Sequence, residues 1–353
     1  AHQKLGRYQR AIKDLDRVIE LNPENVAAHV NRGNAYSALG EHKRAIQDYD
    51  RAVELDPDYV LGFYNRGLAY SELKQHQRAI RDFDKVVELS PQDTSAYYNR
   101  GLTHHDLKQY QRAIEDFAGV IDINPRDASA YGARGLVYVD LKQHARAIED
   151  YDRAIELNPE YALAFNNRGN TYRILGEHER AIEDFDRAIE LSPQTAVAYR
   201  NRGNAYLGLG QNQSALENYD RAIEVDPEYV LAIHDRGSAY LELKQYKRAI
   251  GDFHKVIELS PQDPSAYYNR GLAYWNLRQN QRAIENYDRA IELDPGYVLA
   301  FHRRGSAYGG LKQYERAIAD FDKVIELSPQ DTAAYYNGGV CYRELKQYER
   351  AIG

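Results

Sequence analysis

The sequence predicts an all-α chain built as a solenoid of antiparallel helix pairs, and three observations predict it. Prolines stand at Pro23, Pro57, Pro91, Pro125, Pro159, Pro193, Pro227, Pro261, Pro295 and Pro329, each 34 residues after the one before, and only Pro264 is off this ladder. The string SAYYNRGL runs from Ser95 to Leu102 and returns letter for letter from Ser265 to Leu272, five periods later. Within every period, small and aromatic residues recur at helical spacing. A repeat of this length is one supersecondary unit that buries its apolar face only against its neighbours, so the 353 residues read as one array and not as separate globular domains.

Counting each unit from the third residue after its proline gives nine full repeats: 26–59, 60–93, 94–127, 128–161, 162–195, 196–229, 230–263, 264–297 and 298–331. Residues 1–25 are the C-terminal part of a truncated repeat, and 332–353 a partial tenth. The units opening at Val60, Val230 and Val298 share RGxAYxxLKQ and close on ELSPQD, so duplication built the array. Positions below are numbered 1 to 34 within a unit.

The first helix of a unit is read from positions 4, 8 and 11, which share a stripe at 100° per residue. Position 3 is Ala or Gly throughout, position 8 is Gly from Gly33 to Gly339, and position 11 is Tyr except for His104. A short turn follows, written LGEH, LKQH or LKQY. The second helix carries the stripe of positions 20, 24 and 27: Ala at 20 from Ala11 to Ala351, and Tyr or Phe at 24 except for Leu15. Gly and Ala let the two backbones approach closely. Asn, Asp or Ser before the proline suits the end of one helix and the restart of the next. By this register the chain begins inside a first helix and ends inside a second one, with no polar capping helix.

Gly at 8, Tyr at 11, Ala at 20, an aromatic at 24, a small residue at 27 and Pro at 32 resemble the tetratricopeptide repeat (TPR), over the whole chain. The resemblance implies a right-handed superhelix of helix pairs whose first helices line a concave groove. It also implies a scaffold that binds peptides or proteins and is not an enzyme.

With position 4 at 0°, positions 2, 5, 6, 9, 12 and 13 occupy the sector from about 80° to 200°, opposite the buried stripe. This is the expected groove lining. Position 6 is Asn31, Asn65, Asn99, Asn167, Asn201, Asn269 and Asn337, interrupted by Ala133, Asp235 and Arg303, while position 5 beside it varies freely. An asparagine amide donates and accepts, so a column of them reads the backbone of an extended chain. This column resembles the asparagine ladder of the O-GlcNAc transferase repeats, without any transferase domain. Each bond adds about 0.5–1.5 kcal/mol net, and ordering a ligand offsets several kcal/mol, so micromolar affinity near −8 kcal/mol is expected. Tyr64, Tyr98, Tyr268, Tyr336 and Trp275 supply aromatic anchors in the same sector.

Position 7, at the edge of the buried stripe, is Arg32, Arg66, Arg100, Arg134, Arg168, Arg202, Arg236, Arg270 and Arg304, then Gly338. A buried guanidinium needs a partner. Position 23 is Asp or Asn wherever the second helix is complete, and position 25 is usually Asp, so these arginines are assigned a structural role, tying the first helix to a neighbouring second helix. Other charges are expected to pair at i,i+4 along the second helix and keep it solvated: an arginine at position 19 with an aspartate at position 23, and a glutamate at position 22 with an arginine or lysine at position 26.

The remaining chemistry is excluded by composition and pattern. The formal charge of −7 argues against a nucleic-acid surface, and no apolar run is long enough for a membrane span. Cys341, the single cysteine, reads as a small buried residue. His104, His105 and Asp106 point in directions 100° apart and cannot share a metal ion, while His42, His76, His144 and His178 at position 17 are packing residues. No cofactor motif or nucleophile elbow occurs, and the lysines of a clamp for an acidic C-terminus are missing from positions 2 and 5. The expected function is therefore a scaffold binding an extended protein or peptide segment in the groove. Two alternatives stand beside it: the scaffold region of a larger enzyme or signalling protein, and a self-assembling scaffold stacking end to end. Location is cytoplasmic by default, and because the chain opens on Ala1 without methionine, a true N-terminus ahead of it is expected.

Overall fold

A computed structural model of the chain describes residues 2–347 and 350; the last repeated alanine, Ala351, and the end of the partial tenth repeat lie outside the described residues. Every regular element among them is an α-helix. The chain divides into two compact units, 1–171 and 172–353. The first holds α1 (His2–Leu21), the pairs α2 (Val26–Ala38) with α3 (His42–Leu55), α4 (Val60–Glu72) with α5 (His76–Leu89), α6 (Thr94–Asp106) with α7 (Tyr110–Ile123), α8 (Ala128–Asp140) with α9 (His144–Leu157), and most of α10 (Ala162–Ile174). The second holds α11 (His178–Leu191), the pairs α12 (Ala196–Gly208) with α13 (Asn212–Val225), α14 (Val230–Glu242) with α15 (Tyr246–Leu259), α16 (Pro264–Asn276) with α17 (Asn280–Leu293), α18 (Val298–Gly310) with α19 (Tyr314–Leu327), and α20 (Thr332–Glu344). Within each unit the two helices of a repeat pack together, and the second packs on the first helix of the next repeat.

Helix starts follow from two interchangeable loop chemistries. Where position 34 is Asp, its carboxylate caps the first helix: Asp93 accepts from the Ser95 N–H at 2.9 Å and Asp127 from those of Ser129 and Ala130 at 2.9 and 3.1 Å. Where position 34 is Tyr, the loop relies on an Asx turn at position 31, as in Asp56 accepting from the Asp58 N–H at 3.1 Å and Asp294 from that of Gly296 at 2.9 Å, a turn that Asn124 also makes ahead of Asp127 at 3.2 Å.

The turn inside each repeat is a Schellman ending. The N–H of position 16 reaches the carbonyl of position 11 (Glu41 to Tyr36, 2.9 Å; Gln75 to Tyr70, 2.8 Å), and that of position 15 reaches position 12. This geometry places position 15 in the left-handed region in all ten repeats. Gly40, Gly176 and Gly210 occupy it without cost, but Lys74, Lys108, Lys142, Lys244, Arg278, Lys312 and Lys346 stand there with φ from 58° to 62°. Changing Lys74, Lys108 or Lys142 to Gly is therefore expected to raise the thermal midpoint, each change adding about 0.5–1 kcal/mol of stability after the added freedom of the unfolded chain is offset. A fall in midpoint for all three would contradict the strain.

The same turn is absent from α1, which runs unbroken through Gly6, although the register places a first-helix remnant before it.

The core repeats one contact. The ring at position 24 lies under the glycine at position 8 so closely that a Cβ added at Gly33 would stand 2.6 Å from the Tyr49 ring, at Gly67 2.8 Å from Phe83, and at Gly203 2.7 Å from Tyr219. Ala45, Ala79, Ala113, Ala147, Ala181, Ala215, Ala249, Ala283 and Ala317 at position 20 are fully buried beside it. Where the ring is Tyr and position 9 is Asn, the hydroxyl donates to the amide oxygen: Tyr49 to Asn34 at 2.7 Å, Tyr219 to Asn204 at 2.6 Å. With Leu136 or Leu272 at position 9, the hydroxyls of Tyr151 and Tyr287 are buried without a partner.

Candidate functional site

The arginines of position 7 are bonded on two sides. Arg66 donates through Nε and Nη2 to Asp82 (2.8 and 2.7 Å), at position 23 of its own repeat, and through Nη1 to Asp50 (2.7 Å), at position 25 of the preceding one. Arg32, Arg100, Arg236 and Arg304 repeat this triad with Asp48 and Asp16, Asp116 and Asp84, Asp252 and Asp220, and Asp320 and Asp288. Arg168 reaches Asp152 at 2.5 Å, and Arg202 joins Asn218 to Asp186. Each guanidinium of this set thus fastens the first helix to a neighbouring second helix, and the complete triads do so on both sides.

Two members are incomplete. Arg134 holds Asp150 alone, because position 25 of the previous repeat is Ala118. Arg270 meets no carboxylate at all: Asn286 accepts from its Nε at 2.7 Å and His254 stands 3.2 Å from Nη1. Burial without a compensating anion pulls the Arg270 guanidinium below its ordinary range.

The surface pairs differ from expectation. Asp at position 23 has turned inward to the position-7 arginine, so it is not available to Arg at position 19. That arginine lies over the position-11 ring instead, 4.0 Å from the ring centre for Arg44 and Tyr36 and 3.9 Å for Arg180 and Tyr172. Position 26 pairs at i,i+3 with Glu at position 29, as in Lys85 with Glu88 and Arg187 with Glu190, not at i,i+4 with position 22.

On the face made by the first helices, the asparagines of position 6 are not equivalent. Asn31 is exposed, Asn65, Asn99, Asn167, Asn269 and Asn337 are half-buried, and Asn201 is buried at 8% exposure. Asn99 donates both amide hydrogens within the chain, to Tyr64 Oη (3.1 Å) and to the Ser95 carbonyl (2.8 Å), and Asn269 contacts the His234 ring at 3.2 Å. Position 5 of one repeat therefore partners position 6 of the next, a pairing used again where Arg200 donates to Asp235 at 2.7 Å.

The aromatic residues fold back. Tyr64, Tyr98 and Tyr268 pack on the position-24 rings Phe83, Phe117 and Tyr287, with centroids 6.1, 5.5 and 5.9 Å apart, and are half-buried as a result. Trp275 is half-buried under the Arg303 guanidinium, 5.4 Å from its ring centre. Tyr336, on α20, is 73% exposed, with no second helix following it among the described residues.

The first unit has a cavity of about 310 Å3, open to solvent and lined by Tyr64, Tyr98, Asn99, Thr94, Ser95, Asp127 and Ser129. Burial raises the pKa of both tyrosine hydroxyls, and the nearby carboxylates, Asp93 at Tyr64 and Asp127 at Tyr98, raise them further. The sequence put position 2 (Ser95, Ser129) in this sector but gave no weight to position 34, whose alternation between Asp and Tyr was the available signal for Asp127.

His104, His105, His178 and Cys341 are held by packing or by bonds within the chain. His104 is buried against Gln109 at 2.8 Å, and His105 bonds Asp140 at 2.6 Å. His178 at position 17 lies under Gly208 of the next repeat, where a Cβ would stand 2.5 Å from its ring. Cys341 is buried, which raises its thiol pKa. Among the described residues no group of His, Cys, Asp and Glu is placed to hold a metal, and no helix is long and apolar enough to cross a membrane.

Comparison with known proteins agrees with this architecture. Family profiles described as tetratricopeptide repeat match residues 1–60, 60–93, 94–127, 160–228, 264–297, 298–331 and 321–353, and one described as TPR repeat matches 135–173 and 237–277. A search of curated sequences gave no match. Among solved structures, a tetratricopeptide repeat protein from Parabacteroides merdae is 18% identical over 70% of this chain and 98% of its own, with a TM-score of 0.59. The hetero-tetramer Cut9–Hcn1 of APC/C is 17% identical over 98% of this chain and 83% of its own, with a TM-score of 0.55. YrrB, described as a TPR protein with an unusual peptide-binding site, is 28% identical over 53% of this chain and 96% of its own, with a TM-score of 0.47.

Proposed function

We propose that this chain, which belongs to the tetratricopeptide-repeat family, is a non-catalytic interaction scaffold whose first helices bind an extended protein segment. One observation carries the reading. The second helices carry i,i+3 ion pairs along their solvent side, whereas the first helices present a column of asparagines, neighbouring tyrosines and, in the first unit, a cavity lined by both. The amide oxygens of the position-6 asparagines accept from a bound backbone, and the position-5 rings shape the space between successive amides. Selectivity follows from positions 2, 5, 9 and 12, which change from repeat to repeat, including exposed Leu61, Leu102 and Leu136 in the first unit.

The test replaces Asn31, Asn65 and Asn99 together with alanine, after circular dichroism has established that the variant folds. Loss of three backbone bonds is expected to weaken binding of a captured partner about tenfold or more. Unchanged affinity would move binding to another face.

A further inference from the structure

The cavity in the first unit has one carboxylate, neutral polar groups and no cationic side chain in its lining. Asn99 donates both amide hydrogens within the chain, to Tyr64 and Ser95, and no hydrogen bond within the described chain engages its Oδ1. Asp127 uses Oδ1 to cap α8 through the N–H groups of Ser129 and Ala130, and no hydrogen bond within the described chain engages Oδ2. Tyr64, Tyr98 and the hydroxyls of Thr94, Ser95 and Ser129 complete the lining. No Lys or Arg stands among these residues.

The surrounding groove has the same sign. From Val26 to Thr171, positions 2, 5, 6, 9, 12 and 13 carry Glu72, Asp106 and Asp140 but no Lys or Arg, and the one histidine, His105, is bonded to Asp140. In the second unit those positions mix the signs, with Arg173, Arg200, Arg303 and Arg343 beside Asp235, Glu242 and Glu344. A half-buried carboxylate beside two tyrosines and neutral polar groups favours a cation, because charge-assisted bonds and ring contacts both strengthen with a positive donor.

We infer that this cavity is a subsite for the side chain of a lysine or arginine on the bound segment, so that the first unit selects basic stretches. The inference rests on the groove reading above. The ammonium or guanidinium donates to Asp127 Oδ2 and Asn99 Oδ1, while its aliphatic stem lies along Tyr64 and Tyr98.

The test pans a display library of random twelve-residue peptides against the full chain and against Asp127→Asn, a change that keeps a capping side chain and removes only the charge. Enriched peptides are expected to be rich in Lys and Arg on the wild-type chain and to lose that bias on the variant. A synthetic enriched peptide should then bind about fivefold more weakly when its lysine becomes norleucine or when Asp127 becomes Asn. Enrichment without basic bias, or a bias the variant keeps, overturns the subsite and leaves the groove reading standing. No enrichment on either protein overturns both.

Discussion

Replacing Arg66 with alanine is expected to destabilise α4 and the helices on either side of it by about 3–5 kcal/mol. The size follows from what is left behind. Asp82 is 5% exposed, and without Arg66 it becomes a buried carboxylate whose two strongest bonds are gone, while Asp50 loses its partner on the neighbouring repeat. Two comparisons separate this from lost packing. Arg66→Met combined with Asp82→Leu should recover most of the loss, because no buried charge remains. The cost should also grade along the ladder: Arg66→Ala largest, Arg134→Ala smaller because it strands only Asp150, and Arg270→Ala smallest because it strands only the neutral Asn286. In a repeat array a single two-state unfolding energy is not defined, so amide exchange of the flanking helices is the appropriate readout. Equal costs at all three sites would show that the guanidiniums matter only as packing volume.

Gly203→Ala is expected to cost about 2–3 kcal/mol, against the gain of about 1 kcal/mol that helix propensity alone would give. The new Cβ would stand 2.7 and 2.9 Å from the Tyr219 ring and 3.2 Å from the Ala215 carbonyl oxygen. The ring cannot withdraw, since Tyr219 is fully buried and its hydroxyl is tied to Asn204 at 2.6 Å. Tyr219→Leu in the Gly203→Ala background should relieve much of the clash, although the same leucine in the wild-type background should destabilise through the cavity it leaves. The coupling energy of the pair is the measurement, and additivity would sink the close-approach explanation.

Much of the fold was legible because duplication wrote each rule ten times. The proline ladder, the position-8 glycine and the position-20 alanine gave the period and helix faces, since each marks a place where a larger or differently shaped residue would clash. The position-7 arginines needed acids, and positions 23 and 25 were the only acids placed to serve. What was not legible depended on where side chains turn. Periodicity cannot show that Lys74 occupies a left-handed site, because a lysine there looks like any exposed charge in a turn. Nor could it choose between the two arginines it offered Asp at position 23, those of positions 7 and 19; the aspartate takes the first, and Arg44 lies on the Tyr36 ring in place of the expected i,i+4 pair. In the candidate groove, helical angles assigned Tyr98 and Trp275 to the groove sector but did not foresee their packing against Phe117 and Arg303, contacts that come from other helices. Asn99 and Asn31 look alike in the column, yet one amide is engaged by Tyr64 and the other is exposed.

The central claim is that partners lie along the first helices. A photoreactive benzoylphenylalanine placed at Asn65, on that face, and in a second protein at Gln77, exposed on the second helix α5, tests it most directly. Irradiation in the presence of captured partner, followed by mass spectrometry, should give adducts from position 65 and none from 77. Adducts from 77 alone, or in equal yield from both, would contradict the account.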